Sequence, residues 1–201
     1  PKRVPYGRII CLDETNAYSY GRDPELLCNT SVSEYRLFSA DKFPTRRVGA
    51  GRLEGTWAPG EANETGTLAG ATVDWHQLRT NPIEKLTALD YAWVDDEPEV
   101  MARAMVLAND RLFVAGPRDV VDEKQMWGLS NEEAFAEMMT EQAAWFDGAY
   151  GGVMQVFSKE TGEQLAEYEL PSLPAFDGMI AADGALFVIT EDGAICCYRG
   201  E

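Results

Sequence analysis

Cys196 and Cys197 stand side by side, the one pair of residues in this chain whose spacing suggests redox chemistry. Neighbouring residues in a strand project to opposite faces, so bridging them would require a distorted backbone, and they read as two strand thiols. Cys11, inside Ile9-Ile10-Cys11-Leu12, and Cys28, behind Leu26-Leu27, read as buried inert thiols. No CxxC spacing occurs, which removes zinc ribbons and thioredoxin-type sites. His76 is the only histidine, so a multi-histidine metal site is excluded and any catalytic triad would run through it. No G-x-S-x-G elbow, P-loop or G-x-G-x-x-G accompanies it, and its neighbour Trp75 places it in an ordinary strand, Thr72 to Leu78. The densest acidic run, Asp95-Asp96-Glu97-Pro98-Glu99, lacks the alternating oxygen ligands and the glycine of a calcium loop. It reads as a solvated turn. Asn29-Thr30-Ser31 and Asn63-Glu64-Thr65 fit the glycosylation acceptor pattern. These residues assign no catalytic residue and no metal ligand.

The charge balance narrows the partners. Acidic side chains number 34 against 17 basic, a net charge of −17. That field opposes phosphate backbones, so nucleic acid is not an expected partner. With 45% hydrophobic and 10% aromatic residues over 201 positions, the chain is expected to fold as one domain, 1–201, with a sizeable core. No run approaches the roughly 18 apolar residues of a membrane span, so none is expected. The first residue is Pro1 and no basic-then-apolar leader follows, so processing or truncation is expected to have removed the natural start.

The elements that must position any site are announced by an internal echo. Ala104 to Gly116 and Gly178 to Thr190 are near copies, each an apolar run, a two-residue polar turn and a second apolar run. Asn109-Asp110 and Asp183-Gly184 occupy the turns of two β-hairpins. The aligned triplets Leu112 to Val114 and Leu186 to Val188 mark the same strand in two units of a repeated β-array.

Further strands are expected at Gly7 to Leu12, Ala17 to Gly21, Tyr35 to Ala40 and Leu89 to Val94, with Asp13-Glu14-Thr15-Asn16 as the first turn. Residues 43–70, rich in Gly, Pro, Thr and Glu, read as a long excursion or an eroded blade. One helix is expected at about 131–146. Ser130-Asn131-Glu132-Glu133 forms its capping box, and Phe135, Met138, Met139, Gln142, Trp145 and Phe146 form the face that docks on a sheet. Asp147-Gly148 stops it. It is expected to be an insertion between two blades. Gly152 to Phe157, Gln164 to Leu170, the second echo and Ala194 to Tyr198 are expected to make one four-stranded blade.

Val156-Phe157-Ser158-Lys159-Glu160-Thr161-Gly162-Glu163 resembles the turn of the pyrroloquinoline-quinone-like (PQQ-like) repeat, roughly A-x-D-x-x-T-G-x-x-x-W. Thr161 and Gly162 match; Val156, Ser158 and Ala166 stand where the pattern has alanine, aspartate and tryptophan. Ala115-Gly116-Pro117, Asp177-Gly178-Met179 and the stretch from Asp13 to Arg22 are similar to the same proteins. The resemblance implies an all-β fold, a partial β-propeller of four-stranded antiparallel blades with one inserted helix, in an extracytoplasmic compartment. It implies that this chain supplies the final blades, with upstream blades of the same propeller as partners.

Relatives of that fold include quinoprotein alcohol dehydrogenases and the lipoprotein scaffold of outer-membrane protein assembly. The dehydrogenase branch implies PQQ held between a stacked tryptophan and a vicinal disulfide, with calcium on acidic and amide oxygens and an aspartate base. Cys196-Cys197 would supply the disulfide, while no Glu, Asn and Asp set matches the calcium ligands. The expected function is therefore a non-enzymatic scaffold that binds a protein or a small ligand and needs no cofactor. The alternative is a fragment of a PQQ-dependent dehydrogenase. An open arc of blades is expected to aggregate or pair with a partner when expressed alone.

Overall fold

The computed structural model describes residues 7–23, 34–42, 89–122 and 133–200. The expected strand at Thr72 to Leu78, the excursion at 43–70, His76, Cys28, both glycosylation patterns and the capping residues Ser130 to Glu132 lie outside them.

The described residues form three antiparallel sheets and one helix. The first sheet runs β1 (Ile9–Leu12), β2 (Asn16–Asp23), β3 (Glu34–Asp41) and β4 (Tyr91–Asp95), each strand paired with the next. The second runs β5 (Ala104–Ala108), β6 (Arg111–Gly116), β7 (Gly152–Ser158) and β8 (Gln164–Leu170). The third has three strands, β9 (Pro174–Ala182), β10 (Ala185–Thr190) and β11 (Ile195–Arg199). All three are meanders, with short polar turns at β1–β2, β5–β6, β7–β8, β9–β10 and β10–β11 and longer connections at β3–β4 and β6–β7.

The echo is structural as well as textual. Val106 pairs with Phe113 and Leu107 with Leu112; one repeat later Ile180 pairs with Phe187 and Ala181 with Leu186. Both hairpins therefore carry the same register. Asp183 and Gly184 both take positive φ (50° and 70°), the pair of values a two-residue type I′ turn needs, and glycine supplies the second without strain.

Two of the sequence groupings are corrected. The helix α1 (Glu133–Phe146) is not an insertion between two blades: β6 pairs directly with β7, from Arg111 opposite Ser158 to Gly116 opposite Val153. The chain leaves the second sheet, forms the helix and returns to the same sheet. Likewise β7 and β8 do not join the second echo; they complete the sheet that the first echo begins, β7 pairing with β6 and β8 with β7.

The helix docks with part of its expected face: Gln142 is buried and Trp145 packs on the core, whereas Met139 and Phe146 are exposed. The Gln142 amide accepts from Val120 N at 2.8 Å and donates to the Arg118 carbonyl at 3.0 Å. A polar side chain that satisfies two backbone groups can be buried at little cost. The end falls as expected, with Gly148 N donating to the Trp145 carbonyl at 3.1 Å.

Alternation along each strand fills two inter-sheet layers. Ile9, Tyr18, Tyr20 and Leu37 of the first sheet pack on Met105, Leu112, Val114, Val153 and Phe157 of the second. The opposite face of the second sheet, with Val106, Phe113, Ala115 and Met154, packs on Met179, Ala181, Leu186, Val188, Cys196 and Tyr198 of the third. Each fully buried Leu or Val in such a layer contributes about 1.5–3 kcal/mol. The first strands gather on one side of the array, β5 lying beside both β1 and β9, and Asp177 N donating to the Arg103 carbonyl at 2.8 Å.

Candidate functional site

The gathering of first strands leaves a cavity of about 390 Å³. Arg8, Tyr20, Tyr35, Arg103, Phe176 and Glu191 give it its chemistry. Tyr20 and Tyr35 stack at 5.0 Å between ring centroids, nearly parallel. The Arg8 guanidinium sits 5.7 Å from the Phe176 ring centroid, a cation–π arrangement. Arg103 is committed to the Glu191 carboxylate and to the Phe146 carbonyl, so that charge is internally neutralised. The lining offers aromatic faces and one exposed guanidinium, and no cysteine, serine or histidine.

Tyr20 is 1% exposed, and its hydroxyl has no partner in hydrogen-bonding geometry, although the Ala102 amide approaches it. Burial, reinforced by Asp119, pushes this phenol far above its ordinary value, so it stays neutral. Asp119 is itself pushed up to about 7, by burial first and then by Glu34 and Asp122, against one backbone hydrogen bond at Val121. It titrates near neutrality, yet it does not line the cavity.

A second cluster ties the first two sheets together. Asp13 Oδ1 accepts from Thr15 N at 2.9 Å and Asn16 N at 2.7 Å, and Oδ2 accepts from Tyr18 Oη at 3.0 Å and Lys159 Nζ at 3.2 Å. Desolvation opposes ionisation, but these four donors outweigh it and hold the carboxyl well below the usual carboxylate range. Tyr18, desolvated and facing that carboxylate, is raised to about 12. Lys42 Nζ donates to the Asp13 carbonyl at 2.7 Å.

The β7–β8 turn lies beside this cluster, Lys159 belonging to both. Gly162 N donates to the Ser158 carbonyl at 2.9 Å, Thr161 N to Ser158 Oγ at 3.2 Å and Glu163 N to Thr161 Oγ1 at 3.3 Å. Thr161 and Gly162 thus close a hairpin between β7 and β8.

Cys196 and Cys197 fall on opposite faces of β11, Cys196 toward the second sheet and Cys197 exposed, and both are free thiols. Cys11 is half-buried, and burial raises its thiol above the ordinary value. The acidic run follows β4: Asp96 pairs with the buried Arg36 at 3.5 Å, and Glu99 pairs with Arg118 at 3.2 Å. It is a turn whose carboxylates are partly spoken for. Among the described residues no group of three or more His, Cys, Asp or Glu could hold a metal ion, and no helix is long and apolar enough to cross a membrane.

The cavity and the Asp13 cluster escape a reading of the sequence. Arg8, Tyr35, Arg103, Phe176 and Glu191 belong to different strands and turns, and only the packing of three sheets brings them together. The one local signal was the Asp13-Glu14-Thr15-Asn16 turn, where an aspartate can accept from the amides two and three residues on. No protein-family model, no curated protein and no solved structure matches this chain.

Proposed function

We propose that this chain forms an arc of a PQQ-like β-propeller that acts as a non-enzymatic extracytoplasmic scaffold, binding a protein or a small ligand. The observation that carries it is the position of β5 between β1 and β9. Successive meanders whose first strands share one axis are the arrangement of propeller blades around a channel. The cavity beside those strands supports the binding role, since it presents cationic and aromatic surface. The extracytoplasmic placement rests on the repeat-like turn at Val156 to Glu163. Partners in this reading are a protein, a small ligand or further blades of the same propeller.

The test has two arms. The purified protein is used for affinity capture from an extract, and it is also assayed for dye-linked alcohol oxidation with PQQ and calcium added. Saturable capture of a defined partner without turnover is expected. Quinone-dependent turnover with no partner captured would replace the scaffold by a dehydrogenase.

A further inference from the structure

The cavity among the first strands carries an unbalanced charge. Arg103 and Glu191 satisfy each other in its wall, and Arg103 also donates to the Phe146 carbonyl, so that pair is neutral and held in place. Arg8 is different. Its backbone N donates to the Tyr20 carbonyl at 2.8 Å, which fixes the residue against the first sheet. Its guanidinium has no carboxylate partner among the described residues and is set over the Phe176 ring. Tyr20 stays neutral, and Asp119 does not line the cavity, so one positive charge is left over. It stands on a chain whose net charge is −17. The surface around it is aromatic: Tyr35 stacks on Tyr20, and Phe176 and Phe146 are 59% and 43% exposed. Single exposed apolar side chains are ordinary, but two phenyl groups converging on an uncommitted arginine inside one cavity are the composition of a ligand site.

On the reading of this cavity as a binding site, we propose that it takes a small organic monoanion, a carboxylate carried on an aromatic body. Arg8 receives the carboxylate, and the phenyl and tyrosyl rings receive the body. An arginine set over a ring engages it with its flat face, and the N–H donors at the edge of the guanidinium plane are left for a carboxylate fork. Charge complementarity sets the count at one. A second anionic group would meet Glu191 and the field of an acidic chain with no cation to balance it. PQQ, a polycarboxylate, exceeds that count. Volume sets the size: about 390 Å³ lies near the small end of ligand pockets, which run from about 300 to 1,000 Å³.

Calorimetric titration of the 201-residue chain with phenylacetate tests this, with phenylacetamide as the neutral counterpart, acetate as the anion without a ring, and inorganic phosphate and PQQ as anions of higher charge. Phenylacetate should bind saturably at one site, with a dissociation constant on the order of 1 mM or tighter, and the amide and acetate each about tenfold more weakly. Arg8→Gln should abolish the preference for the anion over the amide, and Phe176→Ala should weaken the binding of both. Both side chains are exposed, and circular dichroism should show the fold retained. Should either variant misfold, the ranking of the probes on the unmodified chain decides. Equal binding of phenylacetate and its amide, a preference for phosphate or PQQ, or no saturable binding of phenylacetate would overturn the assignment. Its failure beside capture of a protein partner leaves the scaffold reading standing. Phenylacetate binding beside quinone-dependent turnover would remove the scaffold reading and leave this site.

Discussion

The indole of Trp93 lies against Gly162, so close that a Cβ added to the glycine would fall 2.6 Å from the ring. Trp93 Nε1 donates to the Lys159 carbonyl at 2.9 Å, from β4 of the first sheet into the β7–β8 turn of the second. The contact ties adjacent sheets through both shape and a hydrogen bond. Gly162 also takes φ 75°, a left-handed value that a side chain disfavours.

Gly162→Ala should therefore destabilise the protein by about 3 kcal/mol, adding left-handed strain to displacement of the ring. Trp93→Phe should cost less, since it removes the hydrogen bond and keeps a large part of the contact. Chemical denaturation of the two variants checks the order. If Gly162→Ala is as stable as the parent, the turn is not seated on the indole.

Asp13 predicts a pH response at the same junction. Its folded pKa lies below its unfolded one, so it contributes stability that is present above about pH 4 and is lost as pH falls toward the folded value. The cluster is partly open to solvent, with Asp13 21% and Lys159 34% exposed, so screening limits its worth. Asp13→Asn should cost about 1 kcal/mol at neutral pH, and the difference from the parent should shrink on acidification below about pH 4. A pH-independent difference would mean that the carboxylate charge is irrelevant to the contact.

The sequence carries the local elements well and the long-range ones poorly, and particular residues show why. The hairpins at 104–116 and 178–190 are legible because register in a hairpin is set by its own turn and alternation. The location of α1 was misread because Arg111 pairs with Ser158 across the helix, a choice made by tertiary packing and not by neighbouring sequence. Its docking face is legible in part: Gln142 and Trp145 are docked and Met139 and Phe146 are not, and the partners of Gln142, Val120 N and the Arg118 carbonyl, are brought to it only in the folded chain. The Asp13–Lys159 bond spans 146 positions and has no local signature. Among the paired cysteines, strand alternation alone correctly separates Cys196 from Cys197.

Gln142 leads to a prediction about the helix. Replacement by Ala leaves Val120 N and the Arg118 carbonyl without their partner, and each such buried loss costs about 1–3 kcal/mol. Because the bonds join α1 to the segment after β6, the loss should be felt locally. Hydrogen exchange in Glu133–Phe146 should accelerate in Gln142→Ala while β9–β11 keep their protection. Uniform loss of protection across all three sheets would show that the helix is part of one cooperative core.

Asp119 responds to pH in the opposite sense to Asp13. Burial and the neighbouring Glu34 and Asp122 raise its folded pKa to about 7, above its unfolded value near 4. Between those values the folded protein binds more protons than the unfolded one, so stability falls as pH rises through this window and levels off above about pH 7. Its environment holds the Tyr20 hydroxyl, which stays protonated throughout, and one hydrogen bond at the Val121 amide partly offsets the cost. Asp119→Asn removes the titration. The variant should be more stable than the parent at pH 8, by about 2 kcal/mol after allowing for partial exposure, with most of that gap closed at pH 5. Melting curves of both proteins from pH 4 to pH 9 test this, and a parent whose stability rises across the window would reverse the assignment.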